Sequence, residues 1–185
     1  MLARLTEKLL SYRDRVSVVK SDLSIPFGID RQCDALTSVA TFHWVKDRHV
    51  LFHNLKQTLK PNGLFVADCG GFGNIERIFA TFSDVTKDEF NPAEMWSFAA
   101  PQKTSILLEN CGFEKIDVTL VKDPIPSTSR SQFDAFLSTV VLGALLDGYE
   151  QLDREKIVTE VIDLLGSFRV DFVRLRMRAN VAGGA

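Results

Sequence analysis

The sequence predicts an α/β protein built around a parallel strand-helix-strand unit, and three features of residues 33–73 predict it. Residues 35–42, Ala-Leu-Thr-Ser-Val-Ala-Thr-Phe, form an apolar run too short and too β-branched for a helix and too continuous for a half-exposed strand, so they read as a buried strand. Asp47 can then cap a helix in which Val50, Leu51, Leu55 and Leu59 recur at helical spacing until Pro61-Asn62-Gly63 makes a turn. The turn feeds a second apolar strand, Leu64-Phe65-Val66-Ala67-Asp68-Cys69, with Gly70-Gly71-Phe72-Gly73 at its end. Two buried strands joined by one helix should run parallel, because such crossovers are right-handed and cover one face of the sheet. Ligand crevices in open α/β sheets lie at the carboxyl ends of the strands. Here these ends are residues 41–47 and 70–74.

The other elements follow in chain order. Leu2, Leu5, Leu9 and Tyr12 share one helical face, so the chain starts inside a helix. Val16-Ser17-Val18-Val19 reads as a short strand with Ser21-Asp22-Leu23 at its carboxyl end, and Ile25-Pro26-Phe27-Gly28 as an ordered turn. Asn74 can cap a helix whose apolar face is Ile75, Ile78, Phe79 and Phe82. Residues 83–91 are polar, and 91–98 mix Trp96 and Phe98 with a proline without clear period. A helix over 104–110 is stopped at Gly112, followed by a strand over 113–121 and a loop over 123–129. From Ser131 a helix carries Phe133, Phe136, Leu137, Val140, Val141, Ala144 and Leu145 on more than one stripe; a second spans 154–165; residues 170–177 alternate as a final strand.

Composition narrows the function classes. With 185 residues, 45% hydrophobic and 25% charged, the chain has enough apolar residues for a folded core. A net charge of -2 gives no footprint for nucleic acid or an anionic membrane, and Arg174, Arg176 and Arg178, alternating on a terminal strand, read as a solvated face. No apolar run approaches the ~18 residues of a membrane span. Three scattered cysteines, Cys33, Cys69 and Cys111, read as reduced thiols, and the expected location is cytoplasmic.

The run Ser38-Val39-Ala40-Thr41-Phe42-His43-Trp44-Val45-Lys46-Asp47, followed by Leu59-Lys60-Pro61-Asn62-Gly63-Leu64-Phe65, resembles class I S-adenosylmethionine-dependent methyltransferases of the type 11 group, closest to the trans-aconitate and malonyl-carrier-protein methyltransferases. Gly112-Phe113-Glu114-Lys115-Ile116-Asp117-Val118 resembles the family's sixth strand, and Asp171-Phe172-Val173-Arg174-Leu175 its terminal one. The resemblance implies a Rossmann-like sheet with flanking helices and antiparallel last strands. It implies one methyltransferase-like domain over 1–185, with a partial α/β core at 1–123, a helical lid at 124–168 and a terminal strand at 169–185. The implied cofactor is S-adenosylmethionine, with Asp22 and Leu23 at its adenine and Val39 and Ala40 at the strand end. The implied substrate is a small carboxylic acid, with His43, Trp44 and Trp96 lining its site. The family's glycine-rich first loop and acidic second strand end are not in this sequence. The expectation is therefore an N-terminally truncated sheet lacking two strands, weak cofactor binding, and either a methyltransferase of doubtful activity or an inactive fragment or paralogue serving as an interaction module. An exposed strand edge would then favour self-association.

Other constellations are weaker. The three histidines fall at 43, 49 and 53; His49 and His53 share a helix face, yet without an HExxH pattern they read as solvated, and no metal site is expected. His43, at a strand end, reads either as a base or substrate-orienting donor or as a structural residue. Gly70-Gly71-Phe72-Gly73 has neither phosphate-loop spacing and reads as a tight turn or a close backbone approach to substrate. No nucleophile set stands out, and a methyl transfer can run on proximity and orientation alone.

Overall fold

The computed structural model describes residues 2–27, 32–88 and 90–183, with Leu2 described by its backbone alone. Gly28, the end of the expected 25–28 turn, therefore lies outside the described residues. The main sheet has four strands in the order β1-β2-β6-β3 among them. These are β1 (Cys33–Val39), β2 (Leu59–Gly70), β3 (Phe113–Lys122) and, last in the chain, β6 (Val173–Val181).

The central unit is as expected. β1 and β2 run parallel, with Ala35 opposite Leu64 and Val39 opposite Asp68, joined by helix α2 (Arg48–Thr58). Asp47 caps that helix by accepting from the Val50 N–H at 2.9 Å. β6 lies antiparallel to both β2 and β3. The Pro61-Asn62-Gly63 turn appears as an excursion at the start of β2: the register jumps from Cys33 opposite Leu59 to Ala35 opposite Leu64, and Asn62 takes φ +62°.

Two strand expectations are corrected. The first strand is not buried on both faces; it is an edge, ends at Val39, which is 71% exposed, and gives way to a single helical turn at Phe42–Trp44 that buries Phe42. No strand pairs with its outer side among the described residues, the exposed edge that the truncated sheet leads one to expect. Val16-Ser17-Val18-Val19 forms no strand and all four residues are exposed, because a strand needs a partner ladder for its backbone groups and none lies beside it. The expected first helix does form, as α1 (Leu2–Lys8) followed by a turn at Leu10–Tyr12, but Leu5 and Tyr12 of its apolar face stay exposed; the side chain of Leu2 lies outside the described residues.

One sheet face is packed. Phe65, Ala67 and Cys69 of β2 and Leu175, Met177 and Ala179 of β6 meet Leu51, Phe52 and Leu55 of α2 and Leu108 of α4 (Pro101–Asn110). Helix α4 starts three residues earlier than expected, with Pro101 in its first turn, and ends where Gly112 takes φ +87°. The opposite face is open and polar, carrying Asp68 opposite Arg176 and Thr119 opposite Arg176 on its other side. Arg178 on this face is exposed as expected, whereas Arg174 is half-buried and pairs with Asp68, which also meets Arg176 Nε at 3.1 Å.

A second apolar cluster holds helix α3 (Glu76–Thr86) against the helices that follow β3. These are α5 (Arg130–Phe136), a π-helical turn at Leu137–Val141, α6 (Gly143–Leu146) and α7 (Gln151–Leu165), so the expected first helix of this region is broken rather than continuous. The loop after β3 contains a two-residue strand, β4 (Ile125–Pro126), paired with β5 (Arg169–Val170). The expected final strand is thereby split, at Asp171 and Phe172. Asp171 is diverted to cap α3, accepting the Ile75 N–H on its carbonyl oxygen at 3.1 Å and the Arg77 N–H on Oδ2 at 2.9 Å. Asn74 is not the cap. Its Oδ1 accepts the Val173 N–H at 2.9 Å and ties the α3 entrance to the first residue of β6. No helix among the described residues is long and apolar enough to cross a membrane.

Candidate functional site at the carboxyl ends of the parallel strands

The ends of β1 and β2 are joined by backbone. Ala40, at φ +53°, donates its N–H to the Asp68 carbonyl at 2.8 Å, a left-handed turn that a small residue tolerates better than a branched one. The chain then makes the Phe42–Trp44 turn, which delivers His43 onto the end of β2, where its Nδ1 accepts the Gly70 N–H at 3.1 Å. An accepting Nδ1 fixes the neutral imidazole with its proton on Nε2. Burial holds the His43 pKa down to about 4, helped by the positive charges of Arg174 and Arg48. Nδ1 is thus occupied, and the group left to offer is an Nε2–H donor.

Arg48, the first residue of α2, is 7% exposed. Its Nη2 donates to the Ser97 carbonyl at 2.6 Å and its Nε to Ser97 Oγ at 3.1 Å, while the Ser97 N–H donates to the His43 carbonyl at 2.7 Å. Arg48 thereby straps the 91–98 segment to the strand ends. Its Nη1 has no partner among the described residues, and burial lowers the guanidinium pKa despite the neighbouring Cys69 sulfur. Burial raises the Cys69 thiol in turn, so it is a neutral neighbour and not a counter-ion. A buried guanidinium with no carboxylate beside it leaves positive potential at the strand ends.

The glycine-rich loop is a packed turn. A Cβ on Gly70 would fall 2.6 Å from Phe98 Cε1, and one on Gly71 would fall 2.9 Å from Leu175 Cβ, so both positions exclude a side chain. The Gly71 N–H donates to the Val173 carbonyl at 2.9 Å and the Phe72 N–H to the Ala99 carbonyl at 3.0 Å. These amides are spent within the protein and form no phosphate cradle.

The aromatic residues converge. The His43 ring lies 5.4 Å from Trp44 and 5.8 Å from Phe98; Trp44 lies 5.5 Å from Trp96; and Trp96 stacks on Phe79 at 5.1 Å and on Phe98 at 6.0 Å. Trp44 is 50% exposed and Trp96 5% exposed. The structure thus brings His43, Trp44 and Trp96 into one cluster. A cavity of about 410 Å³ opens beside it, between α3 and the 90–98 segment. Phe79, Phe90 and Phe72 of its wall, and Arg48 behind it, carried no functional signal in the sequence, because each reads as core, loop or helix surface.

Asp22, Leu23, Val39 and Ala40 are not among the residues of this aromatic cluster or of the cavity wall. Asp22 Oδ1 accepts the Ser24 N–H at 2.8 Å and the Ser24 hydroxyl at 2.6 Å, a local turn whose hydrogen bonds lower the Asp22 pKa. Leu23 packs at the margin of the first core, and Val39 and Ala40 are exposed. His49 and His53 are exposed on α2, and among the described residues no three His, Cys, Asp or Glu side chains gather as a metal site would require.

Comparison with known proteins shows the fold. Residues 1–67 match the methyltransferase domain family. The YcgJ protein of Bacillus subtilis superposes on 100% of the chain and 79% of its own, with TM-score 0.66 at 13% identity. The chain has the class I methyltransferase fold. The same fold is shared with Haemonchus contortus phosphoethanolamine N-methyltransferase 2, solved with S-adenosylhomocysteine, at TM-score 0.54 and 16% identity over 100% of this chain and 41% of that one. Among sequences, this methyltransferase-fold chain is 29% identical over 90 residues to an uncharacterized methyltransferase of Schizosaccharomyces pombe, covering 43% of the chain and 35% of the relative. It is 33% identical over 70 residues to the malonyl-[acyl-carrier protein] O-methyltransferase of Priestia megaterium, covering 38% of the chain and 25% of the relative. The chain thus spans only 35% and 25% of those relatives' lengths.

Proposed function

We propose that this chain carries the substrate side of an S-adenosylmethionine-dependent methyltransferase acting on a carboxyl-bearing small molecule. The observation that carries the reading is the strand end itself: neutral His43 beside Arg48, whose guanidinium is buried, only partly hydrogen-bonded and in no ion pair among the described residues, while Arg174 is paired with Asp68. A substrate carboxylate fits that field, and His43 Nε2–H is a donor suited to orient one of its oxygens. The relative named as a malonyl O-methyltransferase supports an oxygen acceptor. Bound S-adenosylmethionine supplies a methyl group already activated on sulfur. By the resemblance, Asp22 and Leu23 would edge the adenine, with Val39 and Ala40 at the strand end. Trp44 and Trp96 would wall the acceptor side and keep water from it. The free cysteines Cys69 and Cys111, both buried, suit a cytoplasmic location.

The test is transfer of tritiated methyl from S-adenosylmethionine at saturating concentration to a panel of carboxylic acids. Base-labile label on an acid, the signature of a methyl ester, is expected; label found only on amines would overturn the carboxyl assignment. A second reading, a catalytically inactive interaction module, is favoured by the open outer edge of β1 and the exposed segment 16–19. It gains if no acceptor is labelled while the chain binds another protein or itself.

A further inference from the structure

We propose that the acceptor acid has an aromatic body, seated in the cavity between α3 and the 90–98 segment with its carboxylate outside toward His43; this rests on the methyl-transfer reading above. The cavity measures about 410 Å³, within the range of small-molecule sites. Its wall includes Phe72, Phe79, Phe90, Trp96 and Phe98, and its one acidic lining residue among those described is Glu76. No lysine, arginine or histidine lines it among the described residues. The cation recorded at its wall, Lys46 Nζ, donates to the Ala93 carbonyl at 2.6 Å. A polyacid inside would bury its charges against rings and a carboxylate, a cost of several kcal/mol per unpaired ion. A flat apolar body would instead extend the existing stack of Phe79, Trp96 and Phe98, whose Trp96 and Phe98 planes are 3° apart.

Phe72 gives an independent indication. It is 66% exposed, although its backbone is held by the Phe72 N–H to Ala99 and by the tightly packed Gly70 and Gly71 on one side. A rigid turn that presents a large ring to solvent at the mouth of an aromatic cavity is explained if the ring covers a ligand. The far wall meets the strand end directly, since Phe98 contacts the His43 ring. Phe98 stands between the cavity and His43, so the carboxylate of a body seated there extends past this ring to reach the imidazole.

The experiment measures binding without cofactor, so that it is independent of methyl transfer. The two tryptophans, Trp44 and Trp96, both lie at the site, and intrinsic fluorescence titration reads it directly. Saturable quenching by 3-phenylpropionate or 1-naphthylacetate, absent with tricarballylate, is the expected result. Phe72→Ala should weaken aryl binding about tenfold, the worth of one aromatic contact. Ala80→Trp, at an exposed helix position lining the cavity, should block it with the melting temperature unchanged. Tricarballylate binding as tight as the aryl acids, or aryl binding indifferent to both substitutions, overturns the proposal. Aryl binding without methyl ester formation upholds it and counts against the methyl-transfer reading; ester formation on a polyacid alone does the reverse.

Discussion

His43 Nδ1 accepts the Gly70 N–H at 3.1 Å, so the end of one strand holds the end of its parallel neighbour through an imidazole that must stay neutral. Protonation would place N–H against N–H and set a third positive charge beside Arg48 and Arg174. The folded His43 pKa, about 4, lies below the ordinary 6.5, so the unfolded chain takes up the proton first as pH falls. This contribution to stability is whole above pH 6.5 and is lost progressively between 6.5 and about 4. Urea midpoints at pH 7.5 and 5 should therefore differ more in the native chain than in His43→Gln, which has no titratable group there. An equal pH dependence in the two would show that His43 does not titrate across this range.

Activity should separate these residues from cofactor contacts. His43→Ala and Trp44→Ala are expected to lower kcat or raise KM for the acid while leaving the affinity for S-adenosylmethionine within about twofold, because the proposed reading puts both on the acceptor side of the strand ends. A parallel loss of cofactor binding in either variant would move that residue to the cofactor side.

The helix α3 entrance depends on two exchanged hydrogen bonds, Asn74 Oδ1 to the Val173 N–H and Asp171 Oδ2 to the Arg77 N–H, each 2.9 Å. Asn74→Ala strands a part-buried amide, at a cost of about 1–3 kcal/mol. Asp171→Ala removes a cap, at about 0.5–2 kcal/mol. Denaturant unfolding measures both, and a loss below about 0.5 kcal/mol for Asn74→Ala would mean that water replaces the bond.

This exchange shows where sequence reading stopped. Asn74 before an apolar helical face has the form of a cap, and only the fold reveals that Asp171, nearly a hundred positions later, takes that role. The parallel unit was legible because helical spacing, the Asp47 cap and the apolar runs are local signals. The solvent-exposed outer edge of β1 was legible only through the resemblance to a sheet lacking two strands, since the apolar composition suits a central strand equally well. At the site, His43, Trp44 and Trp96 stood out by type and place. Arg48 did not, since a basic residue opening a helix reads as surface until burial and Ser97 are seen.

Cofactor affinity of the 185-residue chain should be low. The residues that the resemblance assigns to the cofactor, Asp22, Leu23, Val39 and Ala40, would offer its adenine edge only, and Asp22 Oδ1 is already engaged by Ser24. Titration calorimetry is expected to find a dissociation constant weaker than micromolar, that is, less than about 8 kcal/mol of binding free energy. A micromolar constant would require contacts to ribose or methionine from elsewhere in the chain.

The last expectation concerns β1. Its inner edge pairs with β2 from Ala35 to Val39, and its outer edge faces no strand among the described residues. Val39 is exposed there, and Val16, Val18 and Val19 lie exposed in the extended segment that precedes it. Open strand edges of this kind recruit other chains. Each unpaired amide that becomes shielded from water costs about 1–3 kcal/mol, against a domain stability of only ~5–15 kcal/mol. Pairing between molecules relieves that cost at both edges at once. Light scattering on the purified chain should therefore report dimers or larger species whose mass falls on dilution. Thr37→Pro, on an exposed residue of the edge strand, removes one ladder donor and should shift the population toward monomer; Val39→Lys should do so through charge repulsion. A monomer over the whole concentration range, with one cooperative unfolding transition, would show that this edge is protected in solution and would remove the support for the interaction-module reading.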